Sequence, residues 1–173
     1  MPTDSKPHVL MLSSSRMGDE EYLTHAREMI SHHLGEAKDV LFIPFAGVTL
    51  GWDDYVEKVR EALPQLNITG IHTCDDPQEA ITSANAVLVG GGNTFNLLNE
   101  LYEQSLLAPL QRQISQGMPY IGWSAGSNIC GNSIRTTNDM PIIEPPSFAA
   151  LDFVHCQLNP HYTDYQPPGH NGE

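Results

Sequence analysis

The chain has 173 residues, of which 40% are hydrophobic and 17% charged, enough for one globular domain with a substantial core. Its formal net charge of −13, from 21 acidic against 8 basic residues, argues against nucleic acid or an anionic membrane surface as a partner. Because the three cysteines lack C-x-x-C spacing and no apolar run approaches the roughly 20 residues that a bilayer requires, we expect a reduced, cytoplasmic protein outside the membrane.

Short apolar segments alternate with amphipathic ones over the first 123 residues. The apolar segments predict strands at 9–13, 40–45, 68–72, 86–89 and 119–123. Apolar residues at helical spacing predict helices at 23–34, 56–63, from 77, 94–102 and 106–116. Strands without polar alternation are typical of a parallel sheet covered on both faces. The sequence therefore predicts an α/β fold with three layers and a mostly parallel sheet.

The composition changes after Asn128, where proline and polar residues become frequent and helical periodicity ends. This region predicts loops around one short strand at 156–158. Ligands of open parallel sheets bind beyond the carboxyl ends of the strands. We therefore expect the turns after the fourth and fifth strands to form one crevice with these loops.

The stretch YIGWSAGSN follows the fifth strand and contains the pattern G-x-S-x-G. Between a strand and a helix, this pattern is typical of a nucleophile elbow, in which small neighbours leave a serine exposed on a sharp bend. Ser124 is then a candidate nucleophile, and the amide of Ala125 supplies half of an oxyanion hole. The alternative is an ordinary turn with a helix-capping serine.

The stretch VGGGNTF follows the fourth strand. It does not match G-x-G-x-x-G, because Phe95 replaces the third glycine, and no lysine follows to complete a phosphate loop. Nucleotide binding is therefore unsupported. Three glycines still allow close approach to a ligand, and the amide of Gly92 is a candidate second oxyanion donor. A plain tight turn is the competing interpretation.

A serine nucleophile requires a base, and His161 in LNPHYTD is the best placed of the eight histidines. It follows an apolar segment and a proline, and His170 is the second choice. The other histidines fall in predicted helices or beside strands. A zinc site built from His161 and His170 lacks both HExxH and paired-cysteine spacing, so we expect neither metal nor cofactor.

Six motifs, in order and at their separations, resemble the peptidase E family of α-aspartyl dipeptidases, serine peptidases that are grouped with cyanophycinase. They are LFIPFAGVT, VGGGNTF, YIGWSAGSN, IRTTNDMPI, NPHYT and GHNGE. The resemblance covers nearly the whole chain. It implies a class I glutamine-amidotransferase-like fold and hydrolysis of dipeptides with an N-terminal aspartate.

The resemblance also implies roles for individual residues. The nucleophile corresponds to Ser124, the base to His161, and the oxyanion amides to Gly92 and Ala125. Two further residues, Asn93 and Asp139, match positions that line the aspartate-binding site. Asp139 is in addition a candidate for the acid that orients the histidine.

The family's pattern continues beyond GHNGE into an arginine that contacts the substrate aspartate and a glutamate that completes the triad. This sequence ends at Glu173. The expectation is a single domain over 1–173 that lacks its carboxyl-terminal part. Within it, Arg135 is the candidate cation for the substrate carboxylate.

These residues are compatible with three different functions. The first is a serine exopeptidase acting on Asp-X dipeptides as a monomer or small homo-oligomer. The second is a cyanophycinase-like hydrolase of β-aspartyl peptides, which expects a branched Asp-Arg substrate. The third is a non-catalytic module that binds an acidic metabolite. The length of the chain and the stretch NDMPI favour the first.

Overall fold

A computed structural model describes residues 6–16, 19–154, 158 and 160. Its five strands are β1 (Val9–Leu12), β2 (Asp39–Ile43), β3 (Asn67–Gly70), β4 (Val87–Val89) and β5 (Tyr120–Trp123). Its helices are α1 (Arg27–Leu34), α2 (Trp52–Ala62), α3 (Pro77–Ser83), α4 (Thr94–Glu103), α5 (Leu107–Ser115) and α6 (Ala125–Asn128). Within the described residues, no helix combines the length and apolar character that crossing a bilayer requires.

The strands form one sheet in the order β1-β5-β4-β2-β3, and every described pairing is parallel. Strands β4 and β5 are neighbours, with Val89 opposite Gly122. Since parallel strands point the same way, the turns that follow β4 and β5 emerge side by side at one edge of the sheet.

Successive side chains of the central strands β2 and β4 enter opposite cores, as the period of two requires. In β2, Leu41 and Ile43 pack with α3, α4 and α5, whereas Val40 and Phe42 pack with α1 and α2. The central strand β4 is buried throughout. The predicted three-layer α/β architecture is therefore confirmed.

The predicted elements differ from the observed ones mainly at their ends. Strand β2 ends at Ile43, before Pro44, which has no N–H to continue a ladder. Strand β3 ends at Gly70 rather than residue 72, because the chain turns into a 3-10 helix at Ile71–Thr73. The His72 ring folds back to within 2.6 Å of where a Cβ at Gly70 would lie. Residues 155–157, which include most of the predicted sixth strand, lie outside the described part.

Candidate active site

Ser124 lies on the bend between β5 and α6 with φ of 56° and ψ of −113°. The positive φ is uncommon for a residue with a Cβ and indicates backbone strain. The bend is fixed on both sides, because the Ser124 N–H donates to Leu12 O at 3.0 Å and the Ser124 carbonyl accepts from Ser127 and Asn128. The strand, strained serine and helix match the predicted nucleophile-elbow context.

Both glycines of the G-x-S-x-G pattern are required by close packing. A Cβ on Gly122 would lie 2.4 Å from Gly126 O, and a Cβ on Gly126 would lie 2.1 Å from Val89 O. These separations are far below any van der Waals contact. The expectation that side chains beside Ser124 would collide with the adjoining strand and helix is therefore confirmed.

The turn after β4 packs directly against Ser124. A Cβ on Gly91 would lie 2.8 Å from the Cβ of Ser124. Gly92 has φ of 138°, and a Cβ there would lie 2.1 Å from Ala46 O. Glycine is thus the residue that allows this backbone to approach both the candidate nucleophile and the loop after β2.

A cavity of about 380 Å³ opens at this edge of the sheet, and Gly91, Gly92, Ser124 and Asp139 all line it. The predicted crevice shared by the two turns and a later loop is therefore present. The remaining lining residues are Ser15, Tyr22, Gly47, Val48, Thr49, Leu50, Tyr55, Lys58 and Trp123. The charged lining residues in the described part of the chain are Lys58 and Asp139.

Asp139 reaches the cavity from the loop after α6 and is held by the start of α4. Its Oδ2 accepts hydrogen bonds from the Thr94 N–H at 2.8 Å and from the Thr94 hydroxyl at 2.5 Å. A carboxylate at a helix N-terminus also interacts favourably with the helix dipole. The carboxylate is therefore fixed in place at the cavity wall.

Asn93 is 8% exposed and is not among the residues that line the cavity. Its Oδ1 caps α4 by accepting from the Asn96 N–H at 3.1 Å, and its Nδ2 donates to Met140 O at 2.7 Å. Both ends of the side chain are thus engaged in joining α4 to the Asp139 loop. Direct contact between Asn93 and a substrate stays a prediction.

Ala125 is the first residue of α6 and is 2% exposed. The N–H groups at the start of a helix have no acceptor within that helix. The Ala125 amide therefore suits the predicted donor role, which stays a prediction.

Arg135 is exposed and is not among the cavity-lining residues, and its backbone N–H donates to Ser133 Oγ at 3.2 Å. Lys58 was missed by the sequence analysis, although it lines the cavity. Its Nζ lies 4.4 Å from the centre of the Tyr22 ring. The sequence did contain a signal for Lys58. It lies three residues after Tyr55 on α2, so the two side chains share one face of that helix.

Three aromatic side chains form a hydrogen-bonded chain along one wall of the cavity. The Trp123 Nε1–H donates to the Tyr22 hydroxyl at 2.8 Å, the two tyrosine hydroxyls lie 3.1 Å apart, and the Tyr55 hydroxyl donates to Gly91 O at 2.8 Å. Burial raises the pKa of Tyr22 and of Tyr55 above the usual value. Both phenols therefore stay protonated near neutral pH.

The predicted bases His161 and His170 lie outside the described residues. Among the residues that are described, no group of three or more His, Cys, Asp or Glu could hold a metal ion. Two cysteines, Cys74 and Cys130, are free thiols. Burial raises the pKa of Cys130 to about 12, so this thiol is a poor nucleophile near neutral pH.

Comparison with known proteins gives consistent results. The model of peptidase family S51 matches residues 9–173. A peptidase E from Shewanella amazonensis is 60% identical over 166 residues, which are 95% of this chain and 71% of the relative. A peptidase E from Shewanella denitrificans is 56% identical over 168 residues, covering 96% of this chain and 72% of the relative.

The fold has neighbours among solved structures. A crystal structure of a peptidase from an acI-B1 actinobacterium superposes with a TM-score of 0.63 at 15% identity, covering 87% of this chain and 67% of the other. A Listeria monocytogenes protein provisionally assigned to peptidase E superposes with a TM-score of 0.65 at 24% identity, covering 84% and 74%. At such identities the likeness establishes the shared fold.

Proposed function

Because this chain belongs to peptidase family S51 and is therefore a peptidase, we propose that it is a serine dipeptidase that cleaves Asp-X dipeptides with Ser124 as nucleophile. The observation that carries the proposal is the strained Ser124, packed against the glycine turn after β4 and sharing a cavity with Asp139. An ordinary capping serine would not require this strain, and the Ser124 side chain makes no cap hydrogen bond to α6.

The proposed reaction proceeds through an acyl-enzyme. Ser124 Oγ forms a bond to the scissile carbonyl carbon, its proton passes to His161, and the carbonyl π electrons move to the oxygen. The amides of Gly92 and Ala125 stabilise that oxyanion. When the carbonyl re-forms, the C–N bond breaks and the leaving amine takes the proton from His161.

Water then hydrolyses the ester. Its oxygen attacks the acyl carbon while His161 accepts a proton, and the second tetrahedral intermediate releases aspartate as the proton returns to Ser124 Oγ. Atoms and charges balance without a metal or cofactor. The predicted absence of a cofactor stays an expectation.

The substrate offers an α-ammonium and a β-carboxylate to the cavity. The Asp139 carboxylate suits the ammonium group, because it is fixed at the wall by Thr94. A carboxylate requires a cation in this protein of net charge −13. Lys58 supplies one at the cavity wall, and Arg135 is the alternative from the sequence.

The relatives carry the name peptidase E, which favours a dipeptidase over the cyanophycinase-like hydrolase and over the non-catalytic module. A peptide is accordingly the partner we propose. Cytoplasmic location and a monomer or small homo-oligomer remain proposals from the sequence.

The test measures amine release from Asp-Leu, from its β-linked isomer and from Glu-Leu, for the parent and for Ser124→Ala. We expect Asp-Leu to be preferred and Ser124→Ala to lower kcat on the order of 10⁶-fold, the usual loss for a serine nucleophile. Ser147→Ala, an exposed loop serine, is the matched control and should match the parent. Ser124→Ala with kcat within tenfold of the parent would overturn the nucleophile assignment.

A fluorophosphonate provides a second readout that does not depend on the choice of substrate. The reagent should label one serine, Ser124, in the parent and in Ser147→Ala. Labelling elsewhere, or none in a folded protein, would contradict the proposal. Preference for the β-linked isomer would instead support the cyanophycinase-like alternative.

A further inference from the structure

The glycine turn after β4 cannot be stiffened by side chains of its own. A Cβ on Gly90 would lie 2.5 Å from the Tyr55 hydroxyl, and a Cβ on Gly91 would meet Ser124 at 2.8 Å. Gly92 has no room either, because Ala46 O would lie 2.1 Å from its Cβ. Three consecutive glycines have great conformational freedom, so the turn has to be held by groups outside it.

Two backbone hydrogen bonds hold the ends of the turn. The Gly90 N–H donates to Ile43 O at 3.3 Å, and the Asn93 N–H donates to Ala46 O at 2.7 Å. Neither involves the peptide unit between Gly91 and Gly92. Among the hydrogen bonds of the described residues, that unit is held by the Tyr55 hydroxyl, which donates to Gly91 O at 2.8 Å.

The carbonyl of Gly91 and the N–H of Gly92 belong to the same peptide plane. The described chain has no cis peptide bonds, and in a trans peptide these two groups point in opposite directions. A group that fixes the Gly91 carbonyl therefore also fixes the direction of the Gly92 N–H. If the plane rotated by half a turn, the carbonyl oxygen and the N–H would exchange directions.

The direction of each hydrogen bond follows from the donors available. A carbonyl can only accept, so the single hydroxyl proton of Tyr55 is committed to Gly91 O. The Tyr22 hydroxyl must then donate to Tyr55 while it accepts from the Trp123 Nε1–H. The chain of bonds connects Trp123, which precedes the nucleophile, to the turn that carries the oxyanion donor.

Tyr55 itself is well placed to act as a rigid anchor. It is 6% exposed, lies in the second turn of α2 and packs its ring against Phe42 with centroids 5.0 Å apart. Burial raises its pKa, so the hydroxyl keeps the proton that it donates. The anchor is thus independent of pH across the neutral range.

We propose that Tyr55 is a positioning residue that holds the Gly91–Gly92 peptide so that the Gly92 N–H points at the developing oxyanion. The proposal rests on the proposed function, in which Gly92 supplies one oxyanion amide. In this role Tyr55 acts through the Gly91–Gly92 peptide and not on the reacting atoms. Its effect is expected on the transition state, because the oxyanion that this amide would stabilise develops there.

The test is Tyr55→Phe, which keeps the ring and removes the donor. Loss of one oxyanion donor costs on the order of 10²- to 10³-fold in kcat, and a misdirected amide that still samples the correct orientation should cost less. We expect kcat on Asp-Leu to fall about 10- to 100-fold with KM within about threefold of the parent. The melting temperature reports whether the variant is folded.

A tetrahedral inhibitor separates this role from a merely structural one. The boronic acid analogue of aspartate bonds to Ser124 Oγ and places a boron oxygen where the oxyanion forms. Tyr55→Phe should weaken its inhibition by the same factor as kcat, whereas inhibition by free aspartate should be unchanged. Tyr102→Phe is the matched control: it removes a tyrosine hydroxyl that donates to a backbone carbonyl, Ala149 O at 2.7 Å, and Tyr102 is not among the cavity-lining residues, so kcat should stay within about threefold.

Each outcome is decisive. A folded Tyr55→Phe with kcat and boronate affinity within threefold of the parent overturns the positioning role. An equal loss of kcat in Tyr102→Phe and Tyr55→Phe overturns it as well. So does an inhibition constant for free aspartate that rises as much as the one for the boronate. Ser124→Ala in the same assays distinguishes the two proposals, because its full activity would overturn the proposed function itself.

Discussion

One oxygen of the Asp139 carboxylate accepts hydrogen bonds from both the backbone N–H and the hydroxyl of Thr94, two residues that are 45 positions apart. The contact ties the loop after α6 to the N-terminus of α4 and places Asp139 at the cavity wall. Since Oδ2 is occupied by Thr94, Oδ1 is the oxygen left to contact a substrate ammonium or the catalytic histidine.

Asp139→Asn distinguishes those two roles by the size and kind of loss. Hydrogen bonds to charged groups contribute about 1.5–3 kcal/mol, so loss of an ammonium contact should raise KM for Asp-Leu by roughly 10- to 100-fold. Loss of an acid that orients the histidine would instead lower kcat on the order of 10⁴-fold. We expect the KM effect, measured by steady-state kinetics.

Thr94→Val is the matched control for Asp139→Asn, because it removes the hydroxyl donor and keeps the N–H donor. It should raise KM by less than Asp139→Asn does. A fall in kcat of three decades or more in Asp139→Asn, with KM unchanged, would contradict substrate anchoring and assign Asp139 to the triad.

The cation that recognises the substrate carboxylate is testable by comparing Lys58→Met with Arg135→Ala. Lys58 lines the cavity and Arg135 is exposed outside it, so we expect Lys58→Met to lower the ratio of kcat/KM for Asp-Leu over Asn-Leu by about one to two decades. Arg135→Ala should leave that ratio within about threefold. If Arg135→Ala lowers this ratio and Lys58→Met does not, Arg135 is the cation that binds the substrate carboxylate.

The packing of the elbow predicts a large loss of stability for Gly126→Ala. The new Cβ would meet Val89 O at 2.1 Å in the centre of the sheet, and overpacking of this kind typically costs about 1–3 kcal/mol or more. Thermal unfolding measures the effect. Gly51→Ala is the control, because its nearest atom would be 3.6 Å away, and a melting temperature equal to that of Gly126→Ala would contradict the packing argument.

The stacked pair of His8 and His33 predicts a loss of stability at acid pH. The rings lie 3.8 Å apart, and each Nε2 bonds the backbone carbonyl of the other residue at 2.8 and 3.1 Å. Burial first, and then the neighbouring His8, lower the pKa of His33 below its usual 6.5. The folded state thus favours neutral His33, and its contribution to stability is lost as the pH falls below about 6.5 toward the lower folded pKa.

Melting temperatures of the parent and His33→Gln, measured from pH 7.5 to 5, test this prediction. The parent should lose more stability than His33→Gln over that range. His32→Gln alters the exposed neighbouring histidine, whose charge is the last of the causes that lower the pKa of His33, so its profile should differ from the parent's by less than that of His33→Gln. If the parent and His33→Gln show parallel pH profiles, His33 is not the cause of the loss of stability at acid pH.

Local patterns in the sequence were sufficient to predict the α/β architecture. Apolar runs such as 86–89 and 119–123 predicted buried parallel strands, because a strand covered on both faces has no position for polar residues. The pattern around Ser124 predicted the elbow for a similarly local reason: strand, bend and helix are consecutive, and small residues are required on both sides of the serine. The ends of strands, such as the end of β3 at Gly70, were predicted less accurately. The His72 ring packs against Gly70, and hydrophobic periodicity does not indicate such a contact.

The groups that support Ser124 were decided by tertiary structure. Tyr55 meets Gly91 from 36 positions away, and Tyr22 meets Trp123 from 101 positions away. A tyrosine in an amphipathic helix looks like any other core residue, because periodicity gives the face that is buried and not the atom that its hydroxyl meets. By itself, the sequence determined the sheet and the strained serine bend, which depend on consecutive residues. Only the folding of distant segments onto one edge of the sheet decided the hydrogen bonds that hold the glycine turn and Asp139 around that serine.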